Sequence, residues 1–214
     1  MKSRKHLLKK SHLYLILDKL TLRKHSLKDI YSIVSSCHLD LVQLRDKKSP
    51  KVEILNLAIK LSKRLAKSKT LFIVNDYVDV AVASGADGLH LGQNDLPLKE
   101  ARRILGKDRI IGVSCHNLDQ ALKAQKGGAD YIGIGPIYAT ATKPEYRPLG
   151  LKILRQLEDK IKIPYFAIGD IQSGNIVGVI ASGARRIAVC RAILKATDPK
   201  RAARQLSEIL NYSG

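Results

Sequence analysis

The chain has 214 residues, 45% of them hydrophobic, and a formal net charge of +19 from 38 Lys and Arg against 19 Asp and Glu. That apolar share can fill one sizeable core, and no apolar run approaches the length that spans a bilayer. The charge raises nucleic acid as a partner. However, the basic residues are spread through nearly every helical stretch, aromatic residues make up only 5%, and no RNA- or DNA-binding motif occurs. The expectation is a basic solvated surface and a small anionic substrate, with neither nucleic acid nor membrane as a partner.

Met1 to Lys10 is basic, and Leu13-Tyr14-Leu15-Ile16-Leu17 follows it. The order resembles a signal peptide, but the apolar run is short, ends at Asp18 and lacks a small-residue cleavage site. Residues 1–12 therefore read as a basic leader or helix, and 13–214 as one catalytic domain that opens on a strand. A second strand fits Leu39–Leu44. Ser49-Pro50 opens an amphipathic helix to about Lys67, with Leu55, Ala58, Ile59 and Leu61–Leu65 on its apolar side. A strand fits Leu71–Asn75. Asp95-Leu96-Pro97 opens a helix to about Leu105, a strand fits Arg109–Ser114, and Asn117 caps a helix to about Lys126. A helix covers about Leu149 to Asp159, a strand Tyr165–Gly169, and Ser173 and Asp198-Pro199 start two more helices.

A weak repeat ties these elements together. Gly85-Ala86-Asp87-Gly88-Leu89-His90-Leu91-Gly92 recurs as Gly128-Ala129-Asp130-Tyr131-Ile132-Gly133-Ile134-Gly135 and as Gly183-Ala184-Arg185-Arg186-Ile187-Ala188-Val189-Cys190. Each copy reads as a helix ending in Gly, which suits a left-handed C-cap, followed by a short strand buried on both sides. Eight strands result, near residues 13, 41, 72, 89, 111, 132, 166 and 188. Strict β-α alternation predicts a parallel sheet closed into a (β/α)8 TIM barrel. The alternative, an open doubly wound sheet, lacks a Gly-rich dinucleotide fingerprint. Cys37, Cys115 and Cys190 are scattered without metal spacing, which suggests reduced thiols in a cytoplasmic protein.

In such a barrel the loops after the strands build the site. Gln43, Arg45 and Lys47 share one face at the end of strand two. An amide, a guanidinium and an ammonium in one row make poor core and a good grip for a polyanion. Strand three ends in Asn75-Asp76, strand four runs into Gly92-Gln93-Asn94-Asp95, and strand five ends in Ser114. Asp76 and Asp95 come from adjacent strand ends and, with Arg45, Lys47 and Lys143 near, suggest Mg²⁺ bridging protein to phosphate. Helix capping is the other reading of each Asp. The loop holding Thr140, Thr142 and Lys143 can fold over a ligand. Strands seven and eight end in Gly169-Asp170 and Cys190-Arg191, where this fold frequently binds phosphate. His90, in mid-strand, reads as a packed histidine. His116 could orient its loop, and no Ser-His-Asp triad can be asserted.

Taken in this order, Gln43-x-Arg45-x-Lys47, Asn75-Asp76, His90-Leu91-Gly92-Gln93-x-Asp95, Gly112-Val113-Ser114, Gly135-Pro136 with Thr140-x-Thr142-Lys143, and Ala167-Ile168-Gly169 resemble the thiamine-phosphate synthase family, from Leu13 to about Pro199. The resemblance implies an enzyme joining a hydroxymethylpyrimidine diphosphate to a thiazole phosphate and releasing diphosphate. Gln43, Leu44, Arg45, Asp46, Lys47, Asn75, Ser114 and Lys143 would hold the pyrimidine diphosphate, and Arg45, Ser114 and Lys143 would be catalytic. Asp76 and Asp95 would bind Mg²⁺. Thr140, Ala141, Thr142, Gly169, Asp170, Cys190 and Arg191 would hold the thiazole phosphate. Diphosphate departs when its growing charge is neutralised, and the thiazole nitrogen then attacks, so positioning and charge stabilisation carry the rate.

The chain departs from the family pattern twice. Asp170 stands where the family usually has a second Gly, and Arg191 where it often has Ser. Arg191 is expected to contact the phosphate and to offset Asp170. Two alternatives remain: a thiazole tautomerase-like enzyme working without Mg²⁺, and a non-enzymatic anion- or RNA-binding barrel.

Overall fold

The computed structural model describes residues 4–22, 24–37, 39–141 and 145–212. Strands β1 (Leu13–Asp18), β2 (Leu41–Arg45), β3 (Leu71–Asn75), β4 (Gly88–Leu91), β5 (Ile110–Cys115), β6 (Tyr131–Ile134), β7 (Tyr165–Ile168) and β8 (Ile187–Val189) pair in sequence order, all parallel. β1 pairs with β8 and closes the barrel, as the eightfold alternation predicts. The helices are α1 (Lys5–Leu8), α2 (Lys19–Leu22), α3 (Leu27–Ser36), α4 (Lys51–Leu65), α5 (Val78–Ser84), α6 (Leu98–Leu105), α7 (Leu118–Lys126), α8 (Lys152–Leu157), α9 (Ile176–Ala181), α10 (Arg191–Leu194) and α11 (Pro199–Asn211).

Alternation along each strand separates two cores. Tyr14, Leu41, Leu71, Ile73, Ile110, Tyr131 and Phe166 fill the barrel interior, while Leu13, Leu15, Leu17, Val42 and Leu44 pack outward against the helices. The interior is tight. A Cβ on Gly112 would lie 2.0 Å from the Tyr131 ring, so β5 carries glycine where β6 inserts an aromatic side chain.

The sequence repeat has a physical basis. In two copies, and before β2, where the stretch from Leu39 to Leu44 has the same core pattern without the Gly-Ala, an Asp precedes an even-numbered strand and accepts N–H groups at the start of the strand before it. Asp40 takes those of His12 and Leu13, at 2.7 and 3.0 Å. Asp87 takes that of Phe72 and Asp130 that of Ile111, each at 2.8 Å. At the fourth position stands Arg185, whose carbonyl instead meets His12 Nδ1 at 3.0 Å. The glycines ending the helices fit the left-handed C-cap: Gly85, Gly128 and Gly183 have φ of 70°, 86° and 98°.

α1 covers the N-terminal end of the barrel. Leu8 joins the interior cluster. Arg4 pairs with Asp87 at 3.0 Å and reaches the carbonyls of Ser68 and Thr70, and Lys5 pairs with Asp130 at 2.9 Å. The basic start of the chain thus answers the repeat's own carboxylates.

Element boundaries differ in places from the sequence pattern. α4 and α8 are shorter than expected, α9 begins three residues after Ser173, and α3 lies where the apolar pattern assigns no helix. α3 is nonetheless signalled by a capping box of Ser26 and Asp29. Asn117 and Asp198 cap α7 and α11, accepting from Gln120 and Arg201 N–H.

Arg4→Ala should lower stability by about 1–3 kcal/mol, because it leaves a buried carboxylate without its guanidinium. Burial already pushes the Asp87 carboxyl above its ordinary range, against the pull of Phe72 N–H and Arg4. The deficit should therefore shrink as pH falls and Asp87 takes up a proton. Urea unfolding of both proteins at two pH values measures it.

Candidate active site

All eight strand ends meet at the C-terminal mouth around a cavity of ≈ 120 Å³. Inward alternation delivers Asp18 from β1, Gln43 and Arg45 from β2, Asn75 from β3, His90 from β4 and Ser114 from β5. Thr140, from the loop after β6, lines the opposite wall with Gly169 and Asp170 after β7 and Cys190 and Arg191 after β8.

The cationic row is built as its spacing predicts, and each cation is held by a carboxylate. Arg45 Nη1 bonds Asp18 Oδ2 from the neighbouring strand, where the two residues are register partners. Asp18 is buried and was not among the expected site residues. It shares a face with Tyr14 and Ile16, so the alternation that singles out Gln43 and Arg45 would also have found it. Lys47 Nζ lies 2.9 Å from Asp76 Oδ2.

Leu44 and Asp46, expected with this row, face away from the cavity. Leu44 packs in the outer core. Asp46 Oδ1 accepts the N–H groups of Lys48 and Ser49, each at 3.0 Å, and its Oδ2 lies 3.3 Å from Lys19 Nζ. The same period of two that turns Gln43 and Arg45 inward turns these two out. Asp46 acts as the clasp of the β2 loop.

Asp76 and Asp95 stand together at the rim beside Asn75. Neither caps a helix. Asp95 Oδ2 accepts Gly92 N–H at 2.6 Å, while Pro97 precedes α6 without a side-chain cap. Asp76 has φ of 63°, and its N–H bonds the His90 carbonyl at 2.8 Å. The two carboxyl groups are near enough to shift each other's protonation. Burial, and then the Asp95 carboxyl, push Asp76 above the ordinary carboxylate range. Burial also works against Asp95, but Asp76, Gly92 N–H and Lys47 outweigh it and hold Asp95 below that range. Two carboxylates in contact repel unless they share a proton or a cation. The pair therefore fits a magnesium ion, which takes one or two carboxylates plus substrate and water oxygens. Among the described residues no cluster of three or more His, Cys, Asp or Glu could hold a metal.

His90 is buried and satisfied, as a packed histidine should be, yet it also lines the cavity: Nδ1 lies 2.9 Å from the Tyr131 hydroxyl and Nε2 2.9 Å from Ser114 Oγ. His116 Nδ1 lies 2.6 Å from the Gly135 carbonyl, and its ring stacks on Tyr146 at 4.2 Å, joining the end of β5 to the loop after β6. On the far wall Arg191 Nη2 lies 2.6 Å from Asp170 Oδ1 and 3.5 Å from Thr140 Oγ1. This is the offset expected for Asp170. Asp170 has φ of 48°, a conformation that favours glycine, and follows Gly169 at φ of 117°. A Cβ on Gly169 would lie 2.6 Å from Pro136, so the two loops touch through backbone. Ala141 is exposed and does not line the cavity. Thr142 and Lys143 lie outside the described residues.

Fold and site together define a (β/α)8-barrel protein with a polar, cation-lined mouth and a close carboxylate pair at its rim. The chain matches the family model described as thiamine monophosphate synthase over residues 13–193, and it belongs to that family. It is 49% identical over 173 residues to a thiamine-phosphate synthase of Gloeobacter violaceus, covering 81% of this chain but only 51% of the relative's own length. It is 46% identical over 177 residues to one from Halalkalibacterium halodurans, covering 82% of this chain and 84% of the relative. The solved structure of a thiamine phosphate pyrophosphorylase from Pyrococcus furiosus superposes with a TM-score of 0.86 at 33% identity, covering 98% of each chain.

Asp46 gives a test of the clasp. Burial raises its carboxyl, but the Ser49 hydroxyl, the Lys48 and Ser49 N–H groups and Lys19 outweigh that and hold it below the ordinary range. Its contribution is therefore full above the unfolded carboxylate range and is lost as pH falls through the lowered value. Asp46→Asn should be less stable than the parent at pH 7, and the gap should close on acidification, as thermal unfolding across pH 2.5–7 would show.

Proposed function

We propose that this chain is a thiamine-phosphate synthase: a transferase that couples hydroxymethylpyrimidine diphosphate to thiazole phosphate, releasing diphosphate and forming thiamine phosphate. The observation that carries the reading is the convergence of Arg45, Lys47, Asn75 and Ser114 on one side of the mouth and Thr140 and Arg191 on the other. Two phosphorylated ligands facing one another need two such walls.

Gln43, Arg45, Lys47, Asn75 and Ser114 would hold the pyrimidine diphosphate. Asp18 fixes the Arg45 guanidinium at the cavity wall before a ligand arrives, so less rotamer freedom is lost on binding. Asp76 and Asp95 would hold Mg²⁺, which when bound supplies positive charge against the leaving diphosphate. Arg45 and Lys47 neutralise the same developing charge, and Lys143 joins them on the sequence resemblance. Ser114 orients an oxygen or ring nitrogen of the substrate and is not needed as a nucleophile. The thiazole nitrogen is already a nucleophile, so no general base has to be supplied and alignment carries much of the rate. Thr140, Gly169 and Arg191 would take the thiazole phosphate, with Asp170 holding Arg191 in place. No helix among the described residues is long and apolar enough to cross a membrane. Three unpaired cysteines support a cytoplasmic setting.

Purified protein given both substrates should release diphosphate and form thiamine phosphate only when Mg²⁺ is present. Asp76→Ala and Lys143→Ala should each lower kcat/KM by about 100-fold or more. Metal-independent isomerisation of a thiazole phosphate, without coupling, would overturn the reading.

Asp170→Gly relieves a left-handed non-glycine residue and frees Arg191 for phosphate. Removing an accessible ion pair costs little. Thiazole phosphate should bind the variant as well as or better than the parent in calorimetric titration, and a large loss of affinity would remove Arg191 from the phosphate subsite.

A further inference from the structure

Five polar side chains from five strands form one unbroken hydrogen-bonded path across the barrel. Gln43 Nε2 lies 2.5 Å from the Tyr14 hydroxyl, which lies 2.8 Å from that of Tyr131. The Tyr131 hydroxyl lies 2.9 Å from His90 Nδ1, and His90 Nε2 lies 2.9 Å from Ser114 Oγ. Gln43, Tyr14, Tyr131 and His90 are all buried, and the path ends at Ser114 on the cavity wall. Tyr14 and Tyr131 do not line the cavity, so any effect they have on a ligand passes through their neighbours.

The direction of this path follows from its donor inventory. An amide nitrogen donates and does not accept. The Tyr14 oxygen therefore receives the Gln43 hydrogen and passes its own to Tyr131. Burial raises both phenols, so each keeps its single hydrogen. Tyr131 then donates to His90 Nδ1, and the ring carries its hydrogen on Nε2, facing Ser114. Ser114 Oγ accepts that hydrogen and still has its own to give. Were the direction reversed, the Ser114 hydrogen would be spent on His90, and only lone pairs would face the cavity.

We propose that the Gln43–Tyr14–Tyr131–His90 path sets Ser114 as a hydrogen-bond donor toward the phosphate oxygens of the substrate, with Tyr14, Tyr131 and His90 as positioning residues. The ligand half of this inference rests on the diphosphate reading above; the direction of the path does not. A hydrogen aimed at an anionic oxygen attracts it, and a lone pair in the same place repels it. Hydrogen-bond chains in a low-dielectric interior also polarise one another, so a change at Gln43 is felt at Ser114.

The test is the tautomer of His90 in ¹⁵N-histidine-labelled, ligand-free protein, with the resonances assigned through His90→Gln. Parent protein should show the hydrogen on Nε2. Gln43→Glu places an acceptor at the far end and should move it to Nδ1. Tyr131→Phe cuts the path, should abolish the tautomer preference, and should weaken binding of magnesium diphosphate about tenfold. Tyr14→Phe serves as the second cut if Tyr131→Phe does not fold. A merely structural role would lower stability without moving the tautomer. A parent ring protonated on Nδ1 overturns the proposal. So does unchanged diphosphate affinity in a folded tyrosine variant whose tautomer has shifted. A parent protein with the Nε2 tautomer and no affinity for magnesium diphosphate would remove the diphosphate reading and leave the direction of the path in place.

Discussion

The Tyr14–Tyr131 hydroxyl contact is the point on which the rest of the molecule turns. Below it the barrel is filled by apolar layers and sealed by Leu8. Above it the inward positions open to the cavity and are polar or small apart from Ile16 and Ile168. A phenol buried without a partner costs about 1–3 kcal/mol, so two of them at the barrel centre are tolerated because each answers the other. Gln43 and His90 satisfy what remains, and through them the apolar core is joined to the site. The two rings also meet edge to face, at 5.9 Å between centroids, and each packs against Phe166 in the same way. Packing and polarity thus place the same atoms.

Charge at the mouth is arranged in pairs before any ligand arrives. Arg45 is held by Asp18, Lys47 by Asp76, and Arg191 by Asp170. In a chain of net charge +19 this is a local balance set within a basic background. Pairing keeps the cations ordered at the cavity wall, and the basic surroundings favour the approach of anions. The rim pair Asp76 and Asp95 works in the opposite sense, since two neighbouring carboxyl groups disfavour each other's charge unless a proton or a cation lies between them. The mouth therefore sets paired cations at its wall beside a close pair of carboxyl groups at its rim.

Several parts of the site could be read from residues taken in order. Gln43, Arg45 and Lys47 stand out because a strand alternates faces, and polar side chains in one inward row have no place in a core. Applied one residue further, that rule also places Leu44 and Asp46 outside and Asp18 inside, which the motif alone does not. Whether Asp95 caps a helix was not legible, because a capping Asp stands at the same spacing; the turn of its carboxylate back to Gly92 shows that it does not cap α6. His90 is packed, as read, and also faces the cavity, since the interior it packs in is the floor of the site.

The sequence by itself determined the local order: strands of period two, glycines where helices end in the left-handed conformation, carboxylates before three of the four even strands, and polar groups gathered at one end of each strand. These depend on neighbours a few residues apart, and backbone sterics and solvation act at that range. The tertiary structure alone decided which of those groups meet. Tyr14 and Tyr131 are 117 positions apart and Arg191 and Thr140 51 positions apart, and nothing local relates them. Closure of β1 onto β8 brings such residues around one axis, where burial makes each unpaired polar atom costly and so selects their partners.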